Sequence, residues 1–136
     1  MTVAYLGLGS NVGDRDANLA EARRLLDARG ARVVRASAVR ETEPFGVRDQ
    51  PPFLNQVVEV EWADTPRALL AAAKAVEAEV GRTPTYRWGP REIDVDVLLF
   101  GDETVDEPDL RIPHPGMRER AFVMEPLAEL RPDLAG

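Results

Sequence analysis

Cysteine is absent from this chain of 136 residues, and histidine and lysine occur once each, as His114 and Lys74. Without cysteine there is no disulfide, no thiolate nucleophile and no cysteine-ligated zinc. A single histidine rules out a multi-histidine metal centre. Any bound cation is then held by oxygen, which favours Mg²⁺, Mn²⁺ or Ca²⁺. No apolar run approaches a membrane span, and the opening MTVAYLGLGSN has no charged leader region. The expectation is a cytoplasmic protein that does not engage a membrane. A net charge of −7 offers no general basic face for a phosphate backbone, which excludes broad nucleic-acid binding. Conventional nucleotide loops are also missing. There is no GxxxxGK(S/T) run, and Gly7, Gly9 and Gly13 miss the GxGxxG spacing because Val12 takes the third position. ATP, if bound, is held in another way.

What is present suffices for one domain spanning residues 1–136, since 44% of the residues are hydrophobic. Residues 3–8, VAYLGL, read as a first strand. Asp14 and Asp16 stand where a helix over roughly 16–29 needs a cap and negative charge, with Leu19, Ala22 and Leu26 as its buried stripe. Residues 32–40 read as a second strand, followed by the proline-rich loop ETEPFGVRDQPP. In the third strand, 53–62, Leu54, Val58, Val60 and Trp62 share one face, while Phe53 and Asn55 share the other with Glu59 and Glu61. Thr65 and Pro66 open a second helix whose stripe is Leu69, Ala73, Val76 and Val80, with Gly81 at its end. The segment GDETVDEP reads as a tight turn and an acidic loop, and 122–131 as a short helix with Pro126 near its start. The order β α β β α β predicts an α+β ferredoxin-like domain, a split βαβ with an antiparallel sheet and both main helices on one face.

The richest stretch runs from Arg82 to Phe100, with three arginines, Trp88, a Gly-Pro turn and then Asp94 and Asp96 on an apolar strand. Alternation puts both aspartates on one face, with Cα atoms roughly 6–7 Å apart. That spacing suits one hard cation or a pair of them. Arginines nearby suit phosphate, because guanidinium matches it in a planar fork. A solvated strand face carrying charges of both signs is the plain alternative. On the ferredoxin-like pattern, Asp94, Asp96, Phe53 and Asn55 emerge together on the face away from the helices.

Four motifs in order, YLGLGSNVGDR, DQPPFLN, GRTPTYRWGPREIDVDVLLF and IPHPGMRERAF, resemble the 6-hydroxymethyl-7,8-dihydropterin pyrophosphokinase family of folate synthesis. The resemblance runs from about Val3 to Leu134. It implies transfer of a diphosphoryl group from ATP to the pterin hydroxymethyl oxygen with release of AMP. It also implies two Mg²⁺ ions on Asp94 and Asp96, and catalytic roles for Arg82 and Arg91 on a flap. Thr42, Phe45, Phe53, Asn55, Trp88 and Phe122 fall at the family's pterin positions. Glu77, Arg82, Arg91, His114 and Arg120 fall at its nucleotide positions. Partners are thus expected to be small molecules only. A short chain with no evident coiled coil or large apolar patch is expected to be a monomer. Lys74 stands where some members have glutamine, Glu43 where proline is common, and the flap is shorter than in some relatives. A ligand-binding module without catalysis and a metal-dependent phosphoesterase are the competing functions. A binding module needs neither the aspartate pair nor the arginine-flanked flap, and a phosphoesterase needs no pterin acceptor.

Overall fold

Both main helices begin where the sequence supplies a cap. In the computed structural model, which describes residues 1–42, 52–81 and 93–134, α1 spans Arg15–Ala28 and α2 spans Pro66–Val80. The Asp14 carboxylate accepts from the Ala17 N–H at 3.0 Å, and Thr65 Oγ1 accepts from the Ala68 N–H at 3.1 Å. Each bond satisfies an amide that the first helical turn leaves open. After α1 the chain turns back through Gly30 at φ 91°, a left-handed conformation that glycine tolerates. The expected stripes, Leu19, Ala22 and Leu26 on α1 and Leu69, Ala73, Val76 and Val80 on α2, are all buried.

Five strands, β1 (Thr2–Ser10), β2 (Arg32–Ala36), β3 (Arg40–Thr42), β4 (Phe53–Trp62) and β5 (Asp94–Phe100), make one sheet. Its order is β2-β4-β1-β5, with β3 also paired to β4, and every pairing is antiparallel. This is the expected ferredoxin-like arrangement. The expected core on the helix side is present: Leu6, Leu8, Val58, Val60, Trp62, Ile93, Val95 and Val97 pack with the helix stripes. Fully burying side chains of this size stabilises by about 1.5–3 kcal/mol each.

Several features differ from the sequence-based expectation. The strand expected over 32–40 is broken at Ser37, whose Oγ accepts from the Val57 N–H at 2.9 Å. A hydroxyl there takes the place of a ladder carbonyl, and the chain resumes one residue out of step as β3. The acidic loop contains a hairpin, β6 (Val105–Glu107) with β7 (Leu110–Ile112). Strands of three residues carry too little alternation to announce themselves. Leu110 and Ile112 seat this hairpin in the main core, and Arg67 of α2 pairs with Glu107 and Asp109. Finally, β5 shifts register against β1 between Tyr5 and Leu6, so Leu98 has no cross-strand partner. Leu98 and Leu99 therefore both pack on the face opposite α1 and α2, which strict alternation forbids.

That opposite face has a core of its own. Helix α3 (Ala121–Leu130), with Pro126 in mid-helix rather than near its start, packs Leu127 and Leu130 on Tyr5, Val57 and Leu98. A polar clamp closes the rim. Tyr5 Oη donates to Glu59 Oε1 at 2.7 Å, and Arg35 Nη2 donates to Glu59 at 2.6 Å and to the Leu130 carbonyl at 2.9 Å. Arg35 beside Glu59 holds its carboxyl below the ordinary 4.5, against the opposing effect of burial. Burial, reinforced by Glu59, pushes the Tyr5 hydroxyl up. A depressed carboxyl stabilises the fold fully above its unfolded pKa and loses that effect as pH falls through the folded value. Comparing urea midpoints of wild type and Glu59→Gln should therefore show wild type ahead at pH 7. The gap should close as pH falls below 4.5. A gap that stays constant with pH would remove the clamp's ionic part.

Candidate active site

The face that α3 leaves open carries the residues singled out in the sequence. Asp94 and Asp96 point the same way from β5, with Gly9 and Gly7 directly across on β1. Gly9 and Gly7 in turn face Asn55 and Val57 on β4. Two glycines at alternate positions of the central strand thus leave β1 with no side chain of its own between Asp94 and Asp96 on one side and Asn55 and Val57 on the other. The result is a cleft of about 210 Å³ floored by Gly7 and Gly9. Phe53, Asn55 and Thr42 line one side, Phe122 and Arg120 the other, and the two aspartates also border it.

Asn55 is nearly buried, and its Nδ2 donates to Thr42 Oγ1 at 2.6 Å. Its Oδ1 lies over the floor, 3.2 Å from where a Cβ on Gly9 would stand. The amide therefore presents an acceptor to the cleft, matched to N–H groups on the edge of a flat heterocycle. Phe53 and Phe122 supply apolar faces for such a ring. The Arg120 guanidinium lies 5.9 Å from the Phe122 centroid, a cation–π distance.

A second cleft, of about 420 Å³, opens on the other side of β5. Lys74, Arg111 and Asp109 give it a charged lining beside His114, with Leu70 and Val97 as apolar wall. The His114 backbone N–H donates to the Leu98 carbonyl at 3.0 Å, which fixes the residue against β5. Its Nδ1 is buried with no hydrogen-bond partner among the described residues. A buried ring nitrogen without a partner is uncommon and marks His114 as a residue to explain. Asp96 borders both clefts.

Of the residues expected in the site, Thr42, Phe53, Asn55, Asp94, Asp96 and Phe122 converge on the first cleft, and His114 on the second. Arg120, expected with the nucleotide, lines the first cleft. Glu77, also expected with the nucleotide, has its carboxylate on the Val95 N–H at 2.8 Å and beside Lys74 Nζ at 3.3 Å. Phe45, Arg82, Trp88 and Arg91 lie outside the described residues. Missed in the sequence were Gly7 and Gly9 as a floor and Arg111 as a lining residue. Glycines two apart on a strand, which fall on one face, were the available signal. Among the described residues no three acidic or histidine side chains gather to hold a metal. Two carboxylates still suit Mg²⁺, which commonly takes one or two protein carboxylates and completes its shell with water and substrate phosphate.

Comparison with known proteins identifies the family of the chain. Residues 5–132 match the family model described as 7,8-dihydro-6-hydroxymethylpterin-pyrophosphokinase. The chain is 50% identical over 135 residues to the 2-amino-4-hydroxy-6-hydroxymethyldihydropteridine pyrophosphokinase of Methylorubrum extorquens, covering 98% of this chain and 85% of that one. It is 46% identical over 129 residues to the protein of the same name from Bacillus subtilis, covering 94% and 77% respectively. Among solved structures, it is similar to the Plasmodium falciparum HPPK-DHPS, with a TM-score of 0.74 and 17% identity. That alignment covers 98% of this chain and 40% of the larger one, and it supports the fold alone.

Proposed function

Because the chain belongs to the 7,8-dihydro-6-hydroxymethylpterin-pyrophosphokinase family, we infer that its two clefts are the seats of the two substrates of that reaction. The protein transfers diphosphate from ATP to 6-hydroxymethyl-7,8-dihydropterin, a step of folate biosynthesis. The hydroxymethyl oxygen bonds to the β-phosphorus, the bond between the α- and β-phosphoryl groups breaks, and AMP departs. The hydroxyl proton is lost to solvent.

In our proposal the pterin occupies the first cleft, stacked between Phe53 and Phe122 with its amide edge on Asn55 Oδ1. ATP occupies the second, its phosphates near Arg111 and His114. The observation that carries this placement is that Asp96 borders both clefts. Transfer needs the two substrates to meet where a cation can neutralise phosphate charge, and a carboxylate able to hold one stands at the junction. Asp94 and Asp96 would hold Mg²⁺, which supplies charge neutralisation on the phosphoryl oxygens and a template for in-line attack. The protein's own part is positioning, since phosphoryl transfer of this kind needs no side-chain nucleophile. Arg82 and Arg91 belong to the same proposal as contributors of positive charge to the transferring group. One chain carries both clefts, so we propose that it acts as a monomer. A cytoplasmic setting, where ATP and Mg²⁺ are abundant, fits the chemistry. Among the described residues no helix is long and apolar enough to cross a membrane.

Incubation of the purified protein with ATP, Mg²⁺ and the reduced hydroxymethylpterin should give AMP and pterin diphosphate in equal amounts. ADP as product, or AMP formation indifferent to the pterin, would overturn this assignment.

A further inference from the structure

We propose that Glu77 is a positioning residue for the aspartate pair, bracing the outer edge of β5 at Val95; this deepens the diphosphokinase assignment and rests on it. Among the described residues β5 is the border strand of the sheet, with a ladder on one side only. Asp94 is its first residue, where that support is least. The residues directly across, Gly9 and Gly7, leave room for ligand but offer no side chain for either carboxylate to lean on.

Glu77 supplies the missing side. It stands near the end of α2, its side chain only 13% exposed, and its Oε2 accepts from the Val95 N–H at 2.8 Å. An outer-edge amide of a border strand is ordinarily left to water. This one, between the two aspartates, is tied to a helix anchored in the main core. A carboxylate makes the bond charge-assisted and stronger than a neutral one. Its other oxygen, Oε1, meets Lys74 Nζ at 3.3 Å, which fixes the side chain and offsets its charge. Among the described residues, Glu77 borders neither cleft.

The test compares wild type, Glu77→Ala and Glu77→Gln, with Mn²⁺ as the metal probe and a non-hydrolysable ATP analogue present. Paramagnetic resonance reads bound Mn²⁺, and amide hydrogen exchange reads Val95. Glu77→Ala should bind Mn²⁺ about tenfold more weakly, the scale of losing a partner that orients a metal ligand. The Val95 amide should exchange roughly tenfold faster, as expected for one lost hydrogen bond. Pterin affinity should not move. Glu77→Gln, which keeps an acceptor oxygen, should recover most of both effects. Wild-type Mn²⁺ affinity and Val95 exchange in Glu77→Ala would overturn the brace. Weaker binding of the analogue with unchanged Mn²⁺ affinity would also overturn it, in favour of direct nucleotide contact. Wild-type protein that forms no AMP from ATP and pterin fails at the level of the functional assignment instead, whatever Glu77 does.

Discussion

Asp96→Ala should lower turnover by roughly a thousandfold while leaving the fold and pterin binding intact. Asp96 is an exposed residue of β5 that borders both clefts. Its backbone pairs with Gly7, and that ladder does not depend on the side chain. Truncation therefore removes no buried contact, and the melting temperature should move by at most about 2 °C, in line with surface substitutions. Chemistry is another matter. Weakening the hold on a cation that neutralises a transferring phosphoryl group costs several kcal/mol, and about 4 kcal/mol corresponds to roughly a thousandfold in rate. Asp96→Asn separates charge from shape, since it keeps the size and loses the anion. It should be nearly as slow as alanine. Steady-state turnover with saturating ATP and pterin, together with pterin titration calorimetry, checks both parts. Near-normal turnover in Asp96→Ala would remove the metal assignment.

The second large effect is expected at a residue that has no side chain. Gly9→Val should weaken pterin binding by about a hundredfold, close to 3 kcal/mol, with little change for ATP. A Cβ at position 9 would come 3.2 Å from Asn55 Oδ1 and 3.7 Å from Phe53 Cδ1. Valine adds two methyl groups beyond that atom, in the volume where the ring is proposed to lie. Gly9 is not among the glycines with positive φ, so a β-branched residue suits its strand backbone. The backbone then does not oppose the substitution, although Asn55 must give way by a few tenths of an ångström. A melting curve of Gly9→Val separates a loss at the cleft from a loss of folding. Gly7→Ala is the milder companion, because its Cβ meets Leu98 at 3.5 Å, an ordinary contact. Pterin affinities falling in the order wild type, Gly7→Ala, Gly9→Val would match a glycine floor. A Gly9→Val protein that binds pterin within a few-fold of wild type would place the ring elsewhere.

Much of this site was legible in the sequence. Alternation along β4 and β5 correctly put Phe53, Asn55, Asp94 and Asp96 on one face. Capping residues placed both main helices within a residue or so of where they begin. The glycine floor was not legible, because its meaning depends on which residues lie opposite Gly7 and Gly9. Nor was the role of Glu77. A glutamate at the edge of a helical stripe is usually solvated, and nothing local signals a bond to Val95, 18 residues away. The bulge at Leu98 and the break at Ser37 were hidden for the same reason. Each is a decision of register between strands, and local pattern carries no register. The second core escaped notice because the fold pattern accounts for α1 and α2 and leaves α3 without an address. Contacts such as Arg35 with the Leu130 carbonyl span 95 residues.

By itself, then, the sequence determined the types of the long elements, the main core, the family and the carboxylate pair with its aromatic neighbours. These are properties of residues close in the chain, set by periods of two and of 3.6 and by hydrogen-bonding caps. The tertiary structure decided that two bare glycines lie under the cleft, that Asp96 stands at the junction of two cavities, and that Glu77 turns to the strand rather than to solvent. Those facts arise from pairing register and from the approach of distant elements, where one residue of slip would move every side chain to the wrong face.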